Sequence, residues 1–209
     1  MQIELINAVG GTPKATALWD GSARAVQAHG RYYDAVARGN CYTVSDTAGR
    51  VEPAGLTTAP IACTLYNPLG SGVFLSLLYA SANILVANVA AALAWIGVNP
   101  TGSVATTSSN SLTPQNCNGT GSTGKVKGFN TATLPALPTI IADLGTILTG
   151  SITTVVQASL FRWFDGGIGI GPGGALSIQV STATAAASTA MTWIWEEVPQ
   201  SGSGAALVA

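Results

Sequence analysis

Charge is scarce in this sequence. Only 8% of its 209 residues are Asp, Glu, Lys or Arg, whereas an ordinary soluble domain has about 25%. None of the four occurs in residues 53–124. Since an isolated soluble protein normally carries charge over its surface, this scarcity predicts that other protein chains cover much of the surface. The alternative interpretation is a β-protein whose surface is polar through Ser and Thr.

Residue types that support catalysis or metal binding are also few. His29 is the only histidine and lies in no nucleophile motif, so a Cys–His or Ser–His pair is not expected. Glu196 and Glu197 are adjacent in a predicted strand, so they point to opposite faces and cannot act on one substrate. The three cysteines show no C-x-x-C spacing, which argues against a zinc site or a disulfide framework and favours a reducing compartment. We predict no catalytic residue, no cofactor and no metal, and hence no enzyme.

Two classes of partner are disfavoured. The net charge is −1 and there is no basic run, which argues against nucleic acid, because such binding depends on many phosphate contacts. The most apolar run, residues 84–98, is shorter than the roughly 20 residues of a spanning helix and contains Asn88. The first residues show no basic region followed by an apolar one, so we expect no secretory signal. We therefore predict neither nucleic acid nor a membrane as partner.

The largest apolar side chains are concentrated near the C-terminus, in residues 158–199. This stretch predicts three successive strands. The first is the aromatic segment 160–164. The second alternates as a half-buried strand does, and its apolar positions are Leu176, Ile178 and Val180. The third presents its large side chains on one face, at Met191, Trp193 and Trp195.

A glycine-rich run lies between the first two of these strands. Residues 169–174 satisfy the dinucleotide pattern G-x-G-x-x-G. That fingerprint requires a helix N-terminus after it, because the helix end holds the pyrophosphate. Here the following residues alternate as a strand. We therefore predict a turn and no bound nucleotide.

Turn signals recur along the rest of the chain and separate about eight or nine predicted strands. Residues 73–79 are apolar on both faces, which predicts a central buried strand. Residues 57–66 predict a further strand, residues 46–49 a turn, and residues 101–124 a long exposed loop of the functional or mobile kind. The pattern predicts an all-β fold: an antiparallel, jelly-roll-like β-sandwich over residues 41–209.

Residues 1–40 precede this sandwich and predict an N-terminal arm, because Gly10, Gly11 and Gly21 interrupt any regular pattern. Residues 31–38 either form a short helix closed by Gly39 or are extended. We expect the arm to lie mostly on other chains; ordinary packing on its own domain is the alternative. Arginine forks suit such interfaces, and the candidate partner-binding residues are Arg24, Arg31, Tyr32, Tyr33 and Arg38.

Several phrases of the sequence resemble virion structural proteins of tailed bacteriophages. They are GRYY at residues 30–33 with RGN at 38–40, LYNPLGSG at 65–72, and PGGALS at 172–177 with WEE at 195–197. The resemblance implies a β-sandwich that assembles as an oligomer on the phage particle. Capsid decoration (cement) proteins and fibre or spike proteins are both of this kind. The resemblance carries over no catalytic residue.

We therefore predict a structural virion protein: a capsid cement or decoration protein that binds the outside of the phage head and stabilises it. Its partners would be the major capsid protein and further copies of itself, in a homotrimer or another cyclic oligomer. It would be located in the virion, after assembly in the host cytoplasm. The alternative is a receptor- or glycan-binding protein of a fibre, spike or tail tip, whose ligand would contact residues 101–124, Tyr32 and Tyr33.

Overall fold

The computed structural model describes residues 31–84, 91–100, 102, 105–147, 159–184 and 189–200, together with the pairs 16–17 and 23–24. The chain divides into two units, Met1–Asp34 and Ala35–Ala209. In the first unit, the two-residue strands β1 (Thr16–Ala17) and β2 (Ala23–Arg24) pair antiparallel. The arm predicted at residues 1–40 stays a prediction, because most of these residues lie outside the described ranges.

One short helix, α1 (Tyr33–Ala37), precedes the first long strand. Gly39 has a φ of +75°, the left-handed conformation that ends many helices and that glycine adopts at least cost. The N–H of Gly39 donates to the carbonyl of Val36 at 3.0 Å, and the N–H of Asn40 donates to that of Ala35 at 2.9 Å. Of the two interpretations of residues 31–38, the structure has the helix closed by Gly39. No helix in the described ranges is long and apolar enough to cross a membrane.

Eleven strands are described in the second unit, and they form two antiparallel sheets. The strands are β3 (Cys41–Arg50), β4 (Thr64–Tyr66), β5 (Val73–Ile84), β6 (Ala92–Asn99), β7 (Thr107–Leu112), β8 (Gln115–Asn116), β9 (Lys127–Thr133), β10 (Thr139–Ile147), β11 (Ser159–Ile170), β12 (Ala175–Val180) and β13 (Thr189–Pro199). The six-stranded sheet has the order β10-β6-β12-β4-β9-β7, and the five-stranded sheet has the order β11-β5-β13-β3-β8. Residues of both sheets share one apolar core. The predicted all-β sandwich is confirmed.

The strand order follows one rule. With the short strands β7, β8 and the neighbouring β9 set aside, the remaining eight strands can be numbered 1 to 8 along the chain. Strand 1 pairs with 8, 2 with 7, 3 with 6 and 4 with 5. The sheets then read 1-8-3-6 and 2-7-4-5, as if one long hairpin had been rolled into two layers.

The core is formed by the inward side chains of the two sheets. Met191, Trp193 and Trp195 of β13 are fully buried on one face, as their alternation predicts. The indole N–H of Trp193 donates to the carbonyl of Cys63 at 2.8 Å, so this buried ring leaves no polar atom unpaired. Removing these rings from water is a main favourable contribution to folding. Other members of the same cluster are Leu75, Leu77, Leu176 and Ile178.

Three local predictions are wrong. The turn predicted at residues 46–49 lies inside β3, where a shift in the register with β13 marks a bulge. The strand predicted at residues 57–66 is reduced to β4, because the chain before it is irregular. The loop predicted at residues 101–124 contains β7 and β8. Those strands pair through backbone groups while most of their side chains are exposed, so no apolar alternation marks them in the sequence.

The C-terminal strands also differ in detail from the prediction. β12 was predicted to be half-buried, but both of its faces are buried, because a further layer covers its outer side. β11 is longer than the predicted segment 160–164 and includes Gly169. The glycine-rich turn is therefore confined to the residues just after it, and a strand follows, as predicted. β5 lies between β11 and β13, the interior position that its apolar residues predict.

Candidate binding face

The outer face of the six-stranded sheet is covered around β12 by the chain's own loops. The side chain of Gln179 points outward from β12, and its Oε1 accepts a hydrogen bond from the N–H of Thr57 at 2.8 Å. Nearby, the N–H of Gly55 donates to the carbonyl of Val180 at 2.8 Å. The segment 51–63 is therefore held against this face, which explains why β12 is buried on both sides.

A second segment, residues 134–138, completes this cover. The Nδ2 of Asn99 donates to the carbonyl of Ala136 at 2.7 Å. Gly97 leaves room for Pro138, since a Cβ at this position would lie 2.9 Å from the proline Cβ. Under the cover lies a separate small apolar cluster that consists of Tyr66, Phe129, Ala132, Leu134 and Ala175. Its two rings, Tyr66 and Phe129, stack with centroids 6.1 Å apart.

The covering segment is anchored through a buried residue, Glu52, whose carboxylate also joins the two ends of the segment. Its side chain accepts the backbone N–H of Ile61 at 3.2 Å and that of Ala62, and its own N–H donates to Oγ1 of Thr184 at 2.8 Å. Burial, and to a smaller extent the charge of Asp46, raises the pKa of Glu52 to about 7 against the lowering effect of the two backbone donors. The anchor is therefore a group that titrates near neutral pH.

The outer face of the five-stranded sheet has no such cover in the described part of the chain. The antiparallel register brings two rows of side chains together across four strands. The first row is Trp163, Tyr79, Ile194 and Thr43, and the second is Phe161, Ser81, Thr192 and Ser45. None of these eight side chains carries a formal charge. We call these two rows the bare face.

Three aromatic rings cluster at one end of the bare face. The ring of Tyr79 lies 4.8 Å from that of Trp163, tilted by 54°, and 6.5 Å from that of Phe161, at 27°. Phe161 and Trp163 are 60% and 53% exposed. Exposed rings held together by a sheet form a preorganised apolar surface, because little side-chain freedom remains to be lost on binding.

A bulge in β11 borders this aromatic cluster. The register with β5 jumps from Trp163 opposite Tyr79 to Ile168 opposite Leu77, so the residues between them form an excursion. Asp165 has a φ of 53°, a conformation in which aspartate is one of the few side chains found repeatedly. Asp165 is exposed, so a carboxylate lies two residues along the chain from the exposed indole.

The residues that sequence analysis selected are not among the eight of the bare face. Arg24 belongs to β2. Arg31, Tyr33 and Arg38 are exposed, and the guanidinium carbon of Arg31 lies 5.8 Å from the centre of the Tyr32 ring. That these five residues bind a partner stays a prediction.

The two adjacent glutamates of β13 lie in different surroundings. Glu197 is buried and accepts the backbone N–H groups of Lys125 and Val126, each at 2.8 Å, whereas Glu196 is on the opposite side of β13 and partly exposed. This is the opposed orientation that the sequence predicts. His29 lies outside the described residues. Within the described ranges, no three His, Cys, Asp or Glu residues are grouped so that they could hold a metal ion.

Sequence analysis missed the bare face. The pattern of residues 160–164 shows aromatic side chains on both sides of a strand, but it does not show that β11 is at the edge of its sheet. The spacing of Phe161 and Trp163, two residues apart, is the one available signal, because it sets both rings on one side. The contribution of Tyr79 depends on a register between strands that are distant in sequence.

Comparisons with known proteins add little. No protein-family model matches the chain, and no curated protein matches it. Among solved structures, a chain of one described as "KBV activated particle at acidic pH" is similar over 100% of this chain and 94% of its own length, at 15% identity and a TM-score of 0.22. A likeness at this level carries no argument about fold or function.

Proposed function

We propose that the chain is a structural virion protein, a cement or decoration protein that lies on the outside of a phage head and acts without catalysis, cofactor or metal. The observation that carries this proposal is the bare face, two uncharged rows of the five-stranded sheet in which three aromatic rings cluster. Exposed apolar patches of this kind mark surfaces that bind other proteins. The major capsid protein is the proposed partner, on a virion assembled in the host cytoplasm.

The strand order supports the proposal at the level of architecture. Pairing of strands 1 with 8, 2 with 7, 3 with 6 and 4 with 5 is the arrangement of a jelly roll, in which two Greek keys share one sandwich. We infer that the eight-stranded frame is a jelly roll into which the excursion with β7, β8 and β9 is inserted. Jelly rolls occur in viral capsid proteins and in lectins, so this support is analogy and does not select one of the two roles.

The composition of the bare face favours a protein partner. Protein interfaces are enriched in aromatic residues and depleted of Lys and Glu at their centres, and clustered Trp and Tyr side chains often contribute most of the binding free energy. Trp163, Tyr79 and Phe161 have this character, and the other five side chains of the bare face are uncharged. A second copy of the chain is the other protein partner that we propose, in a cyclic homo-oligomer such as a trimer.

The test is to locate the protein on particles of the virus that encodes it. Particles lacking the gene are complemented with the wild-type chain, with the Phe161→Ala/Trp163→Ala double variant, or with Leu137→Ala, and each is imaged by cryo-electron microscopy. Leu137 is as exposed as Phe161, at 60%, but lies in the segment that covers the other sheet, so it is a matched control.

We expect density on the outer surface of the head with the wild type and with Leu137→Ala. The double variant should lose on the order of tenfold or more in occupancy, since two hot-spot truncations cost more than about 1 kcal/mol each. Particles without any density for the chain would overturn the virion proposal. Equal occupancy of the double variant would overturn the role of the bare face.

A second function, glycan binding at a fibre, spike or tail tip, is favoured by one specific observation. The rings of Phe161 and Trp163 are exposed, and the exposed residue Asp165 follows Trp163 by two positions. Sugar rings stack on aromatic faces, and their hydroxyl groups bond to polar groups such as a carboxylate. In that case the density would lie at the tail. A glycan array would show binding that Trp163→Ala abolishes and Leu137→Ala retains.

A further inference from the structure

Two of the three cysteines face each other across a pair of strands. β8 pairs with the beginning of β3, with Tyr42 opposite Asn116. The N–H of Cys117 donates to the carbonyl of Cys41 at 2.9 Å, so this is the next position of the same pairing. The two sulfur atoms are 3.3 Å apart. Both residues are thiols in this structure.

We propose that Cys41 and Cys117 are a site of reversible oxidative modification, at which a disulfide joins β3 to β8. Opposed residues of antiparallel strands have Cα atoms about 4.5–5.5 Å apart, which lies within the range of about 4.4–6.8 Å that disulfides span. The side chains already point at each other. Formation of the bond therefore requires a small approach of the two sulfur atoms and no rearrangement of the strands.

The two thiols differ in a way that sets the order of the reaction. Cys117 is exposed, whereas Cys41 is buried. Burial, then the hydrogen bond to Cys117, raises the pKa of Cys41 to about 12. Because the thiolate is the nucleophile, reaction begins at Cys117, which attacks a low-molecular-weight disulfide, R–S–S–R, and releases one R–S⁻.

The second step closes the protein disulfide. Cys41 loses its proton and attacks the sulfur of Cys117 in the mixed disulfide, and the second R–S⁻ leaves. In total, two protein thiols and one R–S–S–R give one protein disulfide and two R–SH. The protein is oxidised by two electrons and the small disulfide is reduced by the same two.

The disulfide would close a long loop of the chain. Cys41 and Cys117 are 76 positions apart, and this span contains the rest of β3 and all of β4 to β8. Closing so long a loop removes many conformations from the unfolded chain and so favours the folded one. The third thiol, Cys63, is fully buried in the core and is not expected to react.

The experiment oxidises the full chain, purified in reduced form, with oxidised glutathione. The free thiols counted after denaturation should fall from three to one, and peptide mapping should find Cys41 joined to Cys117 within one molecule. The Tm should rise by roughly 10 °C, as a long closed loop predicts for a domain of this size. Dithiothreitol should reverse both changes.

Two variants show which cysteines react. Cys117→Ser should keep its two thiols and an unchanged Tm in oxidised glutathione, whereas Cys63→Ala should still form the Cys41–Cys117 bond and keep no free thiol. The proposal is wrong if the wild type keeps three thiols, or if glutathione stays attached to Cys117 as a stable mixed disulfide. It is also wrong if the bond that forms involves Cys63 or joins two chains.

Discussion

The two outer faces of this sandwich are built from similar strands but have different surroundings. On the six-stranded side, outward residues such as Gln179 and Asn99 hold loop segments in place through hydrogen bonds to their backbones. On the five-stranded side, the two outward rows consist of hydroxyl groups, aromatic rings and Ile194, and Ser45 and Thr192 bond to each other at 2.9 Å. In this sandwich, the covered face is the one whose outward side chains bond to the backbone of loop segments.

The comparison also separates two side chains of the same type. Phe129 lies in the covered cluster and Phe161 on the bare face, although each is a phenylalanine on a strand of the same sandwich. The first is removed from water by the chain itself. The second stays exposed among the described residues, so under the proposed function its burial contributes to binding and not to folding.

The largest difference in stability is expected between the alanine variants of these two phenylalanines. Phe129→Ala should lower the free energy of unfolding by about 3–5 kcal/mol, because it leaves a cavity under the cover. Phe161→Ala should change it by less than about 0.5 kcal/mol, since it removes an exposed ring. Urea denaturation followed by tryptophan fluorescence measures both. Equal losses in the two variants would show that the faces do not differ as described.

The second expected effect comes from Glu52, the anchor of the covered face. Its pKa is about 7 in the folded chain, against 4.5 for the free group, so the folded state holds this proton more tightly. The stabilising contribution is complete below about pH 4.5 and is lost as the pH rises through 7. The free energy of unfolding should therefore fall by about 3 kcal/mol from this group between pH 4.5 and 8.

The Glu52→Gln variant isolates this effect. Its amide has one acceptor oxygen in place of two, so the variant is less stable at low pH, but it has no proton to lose. The difference in unfolding free energy between wild type and variant, measured by urea denaturation at several pH values, should shrink as the pH rises. Glu196→Gln makes the same chemical change on the other sheet and should leave the wild-type fall in place. A constant difference across the pH range contradicts the prediction.

Sequence reasoning could predict what depends on neighbours along the chain. The alternation of Met191, Trp193 and Trp195 identifies an inward face because side chains alternate strictly along a strand. The cover on β12 could not be predicted this way, because Gln179 and Thr57 are 122 positions apart. The cysteine pair and the aromatic cluster were missed for the same reason: each depends on a register between strands that local patterns do not determine.

The smallest effect on stability, and the sharpest test of the bare face, is expected from adding a charge there. Phe161→Lys should change the free energy of unfolding by less than about 0.5 kcal/mol, because the position is exposed and on an edge strand. It should nevertheless abolish self-association if copies of the chain meet through this face, since a lysine buried without a partner in an interface is strongly unfavourable.

Light scattering measures this self-association. At micromolar concentration the wild type should give the mass of an oligomer, and Phe161→Lys the mass of a monomer. Leu137→Lys adds the same charge at an equally exposed position, 60%, on the covered side, and should leave the oligomer intact. A monomeric wild type would exclude self-association at this concentration, and an oligomeric Phe161→Lys would place the contact between copies on another surface.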